Sequence, residues 1–305
     1  MLTQEQLKER KNQIGGSDIA SIMGRNRWVT PLQLWAEKTG QVDPRDISDL
    51  EHVQLGSDLE DFVAQQFTKR TGLKVRRDSR TFKHPEHQYM VAHIDRRITG
   101  SDEILECKTC SAWKAKEWEG DDMPIEYIYQ VMWYLGITGM QKAYLACLIG
   151  GQKFVIKHIE FDQNIFQDML NAAIHFMDYC VIQGNAPASC ADDSDFLVEL
   201  YPQAILEELP LTPKGEEEVR TLIENREALN RVIKHSKKEI DEIDAQIKMM
   251  MGEAEMIRVD NIKITWTNQI TTRVDTAKLK ENGIYDEYSK STETRVFRTS
   301  VKKEK

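Results

Sequence analysis

The feature that most constrains this chain is a pair of acidic residues in two stretches that read as neighbouring β-strands. Asp95 ends the first stretch, and Glu106 and Lys108 lie two positions apart in the next. Successive strand side chains point to opposite faces, so Glu106 and Lys108 share a face and Cys107 points away. Two carboxylates at one point require a cation, and oxygen ligands favour Mg²⁺ or Mn²⁺ over zinc. The pattern predicts a metal site beside a lysine that can hold an attacking water, although an ordinary surface strand also carries such a tripeptide.

Length and composition favour a folded protein of about two domains. The 305 residues are 40% hydrophobic, which is enough to form a proper core. No apolar run approaches the roughly 20 residues that span a bilayer, and residues 1–6 lack the layout of a signal peptide, so we expect a cytoplasmic protein without membrane contact. The five cysteines are an odd number, which favours reduced thiols. The net charge of −9 argues against a generally basic DNA coat but allows positive potential inside one cleft.

Residues 1–190 alternate between helix and strand patterns, which predicts an α/β (α+β) domain. Helices are expected at about 18–23, 31–39, 57–71, 112–118, 125–136 and 162–183, and strands at about 74–77, 89–95, 103–108, 142–149 and 153–160. Ser17 is predicted to cap the first helix. Gly150 and Gly151 lie between the last two strands and predict a β-hairpin there.

A change of pattern after residue 190 indicates a second domain. Residues 191–212 are rich in proline and acidic residues and are predicted to form a connector. In the region 213–305, ten positions from 219 to 250 follow three-four spacing and eight are apolar, which is typical of a coiled-coil-like helix. Arg226 and Ser236 interrupt this seam, so a dimer and a helix packed on its own domain both stay open.

The end of the chain combines a strand pattern with a basic tail. Alternating apolar residues from Ile262 to Trp266 predict short strands. Residues 290–305 contain six basic residues and two acidic ones. A solvated end and contact with DNA both fit such a tail.

Three further groups of polar residues are predicted to lie near the metal site. Glu60, on the helix before the strands, is a candidate for a third carboxylate and also fits a plain surface position. Tyr127 and Gln130 are three residues apart on a helix and therefore share a face. Arg10, together with Ser17 at a helix N-terminus, would suit a phosphate.

Four short motifs of this chain occur in the order and spacing that are typical of a known family. They are the stretches 14–20, 55–60 and 106–109, and Tyr127-x-x-Gln130-Val131 leading to Tyr134. Over roughly residues 8–190 the chain resembles the YqaJ-type viral recombinase nucleases, the group that contains bacteriophage lambda exonuclease. Residues 263–266 and 285–297 resemble the extra domain of longer members.

The resemblance implies a restriction-endonuclease-like core, a mixed sheet flanked by helices, that hydrolyses phosphodiester bonds with Mg²⁺ or, as a substitute, Mn²⁺. It maps Asp95 and Glu106 onto metal ligands and Lys108 onto the catalytic lysine. The Cys107 carbonyl would complete the metal shell. Glu60 matches the additional helix carboxylate.

The same resemblance implies a substrate and partners. Gln130 and Tyr127 match a helix motif beside the metals, and Arg10 and Ser17 match a pair that grips a 5′-phosphate. We therefore expect a 5′-to-3′ exonuclease of a phage or prophage, acting in a bacterial cytoplasm on double-stranded DNA ends. It would expose single strands for an annealing recombinase. A homo-oligomer, with a ring trimer as one form, is also implied, while the heptad helix leaves a dimer, a fold-back or partner docking open.

The chain departs from the family pattern at two places, and three rival functions stay open. His93-Ile94 replaces a small residue and proline, and Met132 replaces a second glutamine. Neither change removes a ligand, and we assign no catalytic role to His93. The rivals are an endonuclease or nickase, a non-cleaving DNA-binding module, and a zinc or iron–sulfur protein using Cys107 and Cys110.

Overall fold

The computed structural model describes residues 10–44, 47–205, 208–292 and 295–299 of the chain. These residues divide into a first unit that ends at Tyr201 and a second that begins at Pro202. The start of the chain, on which the signal-peptide expectation rests, lies outside the described residues. So do residues 293, 294 and 300–305 of the predicted basic tail.

The described residues of the first unit form six α-helices and seven β-strands. Its helices are α1 (Gly16–Ile22), α2 (Pro31–Thr39), α3 (Glu51–Thr71), α4 (Ile125–Thr138), α5 (Gln163–His175) and α6 (Ser194–Leu200). Its strands are β1 (Val75–Arg77), β2 (Phe82–Lys83), β3 (Val91–Ala92), β4 (Arg96–Ile98), β5 (Glu103–Cys110), β6 (Lys142–Ile149) and β7 (Lys153–Glu160). Two 3₁₀-helices span Ala112–Trp118 and Ala191–Asp193, and a π-helical turn extends α5 over Phe176–Ile182.

A five-stranded mixed sheet with the order β1-β4-β5-β6-β7 lies at the centre of this unit. The pair β5 and β6 is parallel, and the other neighbours are antiparallel. A parallel pair needs a crossover connection, and α4 lies within it. The mixed sheet with flanking helices confirms the predicted fold class.

Successive residues of the central strand β5 enter two different cores. Ile104 belongs to the larger core, which includes buried residues of α1, α2, α4 and α5. Leu105 and Cys107 belong to the smaller core with Val63 of α3. Because side chains alternate along a strand, β5 can direct its even-numbered residues, which include Glu106 and Lys108, toward the face that α4 covers.

Several predicted elements match the structure and others do not. Helix α2 and the hairpin β6–β7 have the predicted bounds, whereas α3 begins six residues earlier than expected. The continuous strand predicted over 89–95 is wrong, because β3 pairs with β2 in a separate two-stranded sheet and the chain then bends before β4. The N-cap of α1 is Gly15, so the assignment of Ser17 as the cap is also wrong.

The segment that follows residue 190 is part of the first unit. It forms a 3₁₀-helix and α6, where Phe196 is buried in the larger core. Asp193 is fully buried and accepts a hydrogen bond from Thr30 Oγ1 at 2.5 Å. The first unit therefore extends past the boundary at residue 190 that the composition indicates.

The second unit contains the long helix α7 (Pro213–Met251), which includes all ten heptad positions. A hairpin of β8 (Met256–Val259) and β9 (Ile262–Thr265) follows, then α8 (Thr276–Glu281) and a 3₁₀-turn over Asp286–Tyr288. Across the described parts of both units, no helix is long and apolar enough to cross a membrane.

Candidate active site

The acidic pair predicted from the sequence comes together at the start of β4 and the middle of β5. Asp95 immediately precedes β4, which pairs antiparallel with β5. The backbone N–H of Cys107 donates to Asp95 Oδ2 at 2.8 Å. This bond ties the Asp95 carboxylate to the residue that follows Glu106, so the two carboxylates interact directly through their charges.

Glu106 is the most deeply buried carboxylate of the site, with 1% of its surface exposed. Its Oε1 atom lies 2.7 Å from Lys108 Nζ. Its Oε2 atom is buried and makes no hydrogen bond within the described residues. A buried carboxylate oxygen without a partner is costly, so this atom is suited to bind a cation.

Lys108 is held from several sides by side chains of α4 as well as by Glu106. Its Nζ donates to Gln130 Oε1 at 3.0 Å and lies 4.9 Å from the centre of the Tyr127 ring. Gln130 Nε2 in turn donates to the Tyr134 hydroxyl at 2.7 Å. The structure therefore places Tyr127 and Gln130 against the lysine with which the sequence grouped them.

The surroundings of the site raise the pKa values of both Asp95 and Lys108. Burial, and then the nearby Glu106 charge, raise the pKa of Asp95 to about 8. Burial by itself would lower the pKa of Lys108, but Glu106 and Asp95 outweigh it and raise that pKa above its ordinary value. Lys108 therefore stays protonated, whereas Asp95 is mostly protonated near neutral pH unless a further positive charge beside it, such as a bound cation, favours its ionised form.

Glu60 lies near this centre but has a cationic partner of its own. Arg96, which is 3% exposed, donates through Nη1 to Glu60 and through Nη2 to Asp61 at 2.6 Å. The Glu60 charge still acts on Asp95. Among the described residues, no group of three His, Cys, Asp or Glu side chains is arranged as a metal site. The side chains that meet at the centre are thus Asp95 and Glu106, with Glu60 tied to Arg96.

Arg10 and Ser17 line one cavity of about 560 Å³. Asp18 does not oppose an anion there, because Lys38 Nζ binds its Oδ2 at 2.9 Å and the Gly15 N–H donates to the same oxygen. The Gly15 N–H is thus already used by the Asp18 carboxylate. What remains for an anion is the Arg10 guanidinium, the exposed Ser17 hydroxyl and the cavity itself.

The cavity is tied to the segment that leads into the acidic pair. Ile14 N donates to the Tyr89 carbonyl at 2.8 Å, and Val91 N donates to the Ile14 carbonyl at 2.9 Å. Burial, followed by the Arg10 charge, lowers the pKa of His93, which shares a hydrogen bond with Thr81 Oγ1 at 3.0 Å. Arg10 therefore lies close to the residues just before Asp95.

The positions of Cys107 and Cys110 do not support a shared zinc or iron–sulfur site. Cys107 lies in the smaller core, whereas Cys110 packs against the larger one, because residues three apart on a strand face opposite sides. The partner of Cys110 is instead Cys147 of β6, with 3.7 Å between their sulfur atoms. All five cysteines are free thiols. The Cys107 side chain is thus a core residue, and only its backbone faces Asp95.

Residues outside the predicted site also hold it together. Tyr134 continues the α4 face one turn beyond Gln130, a spacing that could have identified it. Gly16 lies under that face, since a Cβ at this position would come within 2.4 Å of Tyr134 Cε1. Arg96 and Lys38 gave no sequence signal, because their carboxylate partners are distant in the chain.

The mixed sheet and its flanking helices define a restriction-endonuclease-like fold class, and the Asp95–Glu106–Lys108 centre lies on this sheet. Two crystal structures of the alkaline exonuclease LHK-Exo from Laribacter hongkongensis share the fold. The first has a TM-score of 0.50 and 17% identity, covering 59% of this chain and 94% of that one. The second, in complex with dAMP, has a TM-score of 0.50 and 18% identity, covering 65% and 97%.

Sequence relatives identify the family within that class. A model of the YqaJ-like viral recombinase domain matches residues 5–141. The chain is 39% identical over 304 residues to the uncharacterized protein YqaJ of Bacillus subtilis (strain 168), covering 97% of this chain and 94% of that protein. The chain belongs to the YqaJ-like viral recombinase family.

Proposed function

We propose that this chain is a Mg²⁺-dependent exonuclease that degrades one strand of linear double-stranded DNA from its 5′ end, with Mn²⁺ as a substitute metal. The observation that carries the proposal is the environment of Glu106. One carboxylate oxygen holds Lys108, and the other is buried beside Asp95 without a partner in the part of the chain that the structure describes. This arrangement suits a cation and a lysine acting on the same phosphodiester.

The donor set fits a hard divalent cation. Asp95, Glu106 and the Cys107 carbonyl offer oxygen atoms, which Mg²⁺ and Mn²⁺ prefer. Glu60 is the further candidate, and its pairing with Arg96 indicates that it orients the site or binds only after that pair rearranges. Bound there, the cation would offset the carboxylate repulsion and stabilise the negative charge that develops on the phosphate.

The chain's own residues would orient the reacting groups. Glu106 and Gln130 hold the Lys108 ammonium from two sides, so it can position a water by hydrogen bonding. Tyr134 fixes Gln130, and Tyr127 places an aromatic face under the lysine. These contacts reduce the motion of Lys108, and positioning of this kind lowers the barrier of a hydrolysis.

The cavity with Arg10 and Ser17 supports action at a 5′ end. A guanidinium and a hydroxyl line one cavity, where they could form charge-assisted hydrogen bonds with a terminal phosphate. The hydrogen bonds of Ile14 connect this segment to the chain just before Asp95. A phosphate held there would locate the first phosphodiester near the carboxylates. The dAMP complex of LHK-Exo shows a nucleotide on a similar fold.

The remaining partners follow from the family as part of the same proposal. The exposed single strand would be passed to an annealing recombinase, in the cytoplasm of a bacterial host that carries the phage or prophage. A homo-oligomer, for which a ring trimer around DNA is one form, would keep the enzyme on its substrate.

The test uses linear duplex DNA with 5′-phosphate ends, labelled at either terminus, and a closed circle. We expect Mg²⁺-dependent release of the 5′ label from the linear DNA alone. Lys108→Ala should abolish it, and the exposed Lys116→Ala variant should retain it as a matched control. Cleavage of the circle would favour an endonuclease or nickase. DNA binding without cleavage by the wild type would indicate a binding module.

A further inference from the structure

The second unit presents an apolar seam along α7, which has 39 residues and is therefore about 58 Å long at 1.5 Å per residue. Seven apolar residues of the seam are 45–81% exposed: Val219, Leu222, Leu229, Ile233, Ile240, Ile243 and Met250. An exposed apolar stripe of this length marks an interaction surface rather than a solvated helix face.

We propose that this seam pairs with the same seam of a second copy of the chain in an antiparallel coiled coil. In the fully overlapping register, Val219 faces Met250 of the second copy, Ile233 faces Ser236, and Arg226 faces Ile243. Each of the two polar interruptions then meets an apolar side chain instead of its own duplicate.

Charges along α7 favour this orientation over a parallel one. A parallel in-register pair would place Arg226 against Arg226 in one core layer. It would also place Glu239 beside Asp244 of the other copy across the flank of the coil. Contacts between like charges at these positions oppose association. The parallel arrangement therefore has a repulsive pair in the core and two more on its flanks.

The antiparallel arrangement removes these conflicts. The flanking contacts then bring Glu239 to Val232, Asp244 to Ile223, and Lys237 to Asn230. No like charges meet at the flanking positions inside the overlapping helices. The aliphatic stem of Arg226 can cover Ile243 of the second copy while its guanidinium stays at the edge of the seam, where Nη1 donates to Thr299 Oγ1 at 2.8 Å.

The described residues of the second unit include no second helix or strand of similar length that could cover the seam. Among its described elements, β8 and β9 have four residues each and α8 has six. Of the residues described in α7, only Met251, at the end next to the hairpin, is buried. A second α7 has the required length and the matching pattern.

The first experiment measures the mass of the full-length chain by sedimentation and compares two double variants. Ile233→Asp with Ile240→Asp introduces carboxylates into the seam. Ala228→Asp with Ala245→Asp adds the same charge to the outer face. We expect the seam variant to raise the Kd of self-association by at least about 100-fold, because ionised groups would enter an apolar interface. The outer-face variant should leave the Kd within about 3-fold.

A second experiment tests the orientation without disrupting the seam. In a Cys190→Ser background, Val219→Cys and Met250→Cys chains are oxidised separately and as a mixture. We expect a covalent dimer only in the mixture, because identical positions would lie about 46 Å apart at 1.5 Å per residue.

Four results would overturn the proposal. They are a monomeric wild type, an oligomer that the seam variant leaves intact, equal loss in the outer-face variant, and cross-linking of Val219→Cys chains alone. Neither experiment measures DNA cleavage, so the outcome is independent of the proposed nuclease activity.

Discussion

Helices α4 and α7 use their apolar residues in opposite ways. Helix α4 buries seven of its 14 residues, and Val131, Trp133 and Leu135 have no exposed surface. Helix α7 has 39 residues, of which Met251 alone is buried among those described. The difference separates two tasks, because dense packing holds Gln130 and Tyr134 at a fixed position, whereas an exposed seam is available to a partner.

The comparison predicts that DNA cleavage depends on the buried residues packed against α4 and not on the exposed residues of α7. Glu106→Gln should lower the cleavage rate of linear duplex DNA by at least about 10³-fold, since a neutral amide neither attracts a cation nor balances Lys108. Glu242→Gln on α7 removes an exposed carboxylate that pairs with Lys238 and should leave the rate unchanged. Similar losses in both variants would remove the distinction.

The next largest expected difference between the two helices is in the free energy of unfolding lost when a side chain is truncated. Leu135→Ala should destabilise the first unit by about 2–5 kcal/mol, because it leaves a cavity in a fully buried core. Met249→Ala removes a side chain that is 85% exposed and should change stability by less than about 0.5 kcal/mol. Urea unfolding followed by tryptophan fluorescence measures both, and a large effect at Met249 would show that the outer face of α7, outside the seam, is buried in solution.

A single added methyl group should disturb the polar network on α4. Gly16→Ala should cost about 1–3 kcal/mol, because the new Cβ would lie within 2.4 Å of Tyr134 Cε1 and displace it. The shift would loosen Gln130 and lower the cleavage rate by about 10-fold.

Gly15→Ala is the matched control, since a Cβ there meets no atom of the described residues within 4 Å and the backbone φ is −103°. Thermal melting and the cleavage assay should separate the two variants. Equal behaviour would show that Tyr134 does not depend on Gly16.

The smallest predicted effect concerns the substrate end. Arg10→Ala should reduce the preference for 5′-phosphate over 5′-hydroxyl ends by about 10-fold, the contribution expected of one charge-assisted contact. Activity on the 5′-hydroxyl substrate should change little. Arg70→Ala, at the C-terminal end of α3, is the control and should retain the preference. An unchanged preference in Arg10→Ala would show that Arg10 in this cavity does not recognise the 5′-phosphate.

The local features of the chain allowed several elements to be predicted closely. Pro31 and Gly40 set the ends of α2, and the Gly150–Gly151 turn set the hairpin of β6 and β7. The spacing of Glu106 and Lys108 predicted their shared face, and they form an ion pair. In each case the signal lies within a few residues of the structure it determines.

Errors arose where distant contacts compete with local patterns. The apolar run before Asp95 looked like one strand, but pairing of β2 with β3 and of β4 with β5 divides it. The ion pair of Glu60 with Arg96 was not predicted, because it depends on the packing of α3 against the sheet. Phe196 looked like part of a connector because its burial requires the assembled core.

The sequence by itself determined the residue types of the site, the alternation that places Glu106 and Lys108 on one face, and the heptad spacing of α7. These follow from chain geometry, since side chains repeat every two residues in a strand and about every 3.6 in a helix. Only the tertiary structure decided that Asp95 meets Cys107, that Glu106 retains a buried oxygen with no partner among the residues described, and that Arg96 neutralises Glu60. Those properties depend on burial and on pairing between residues far apart in the chain, which no local pattern encodes.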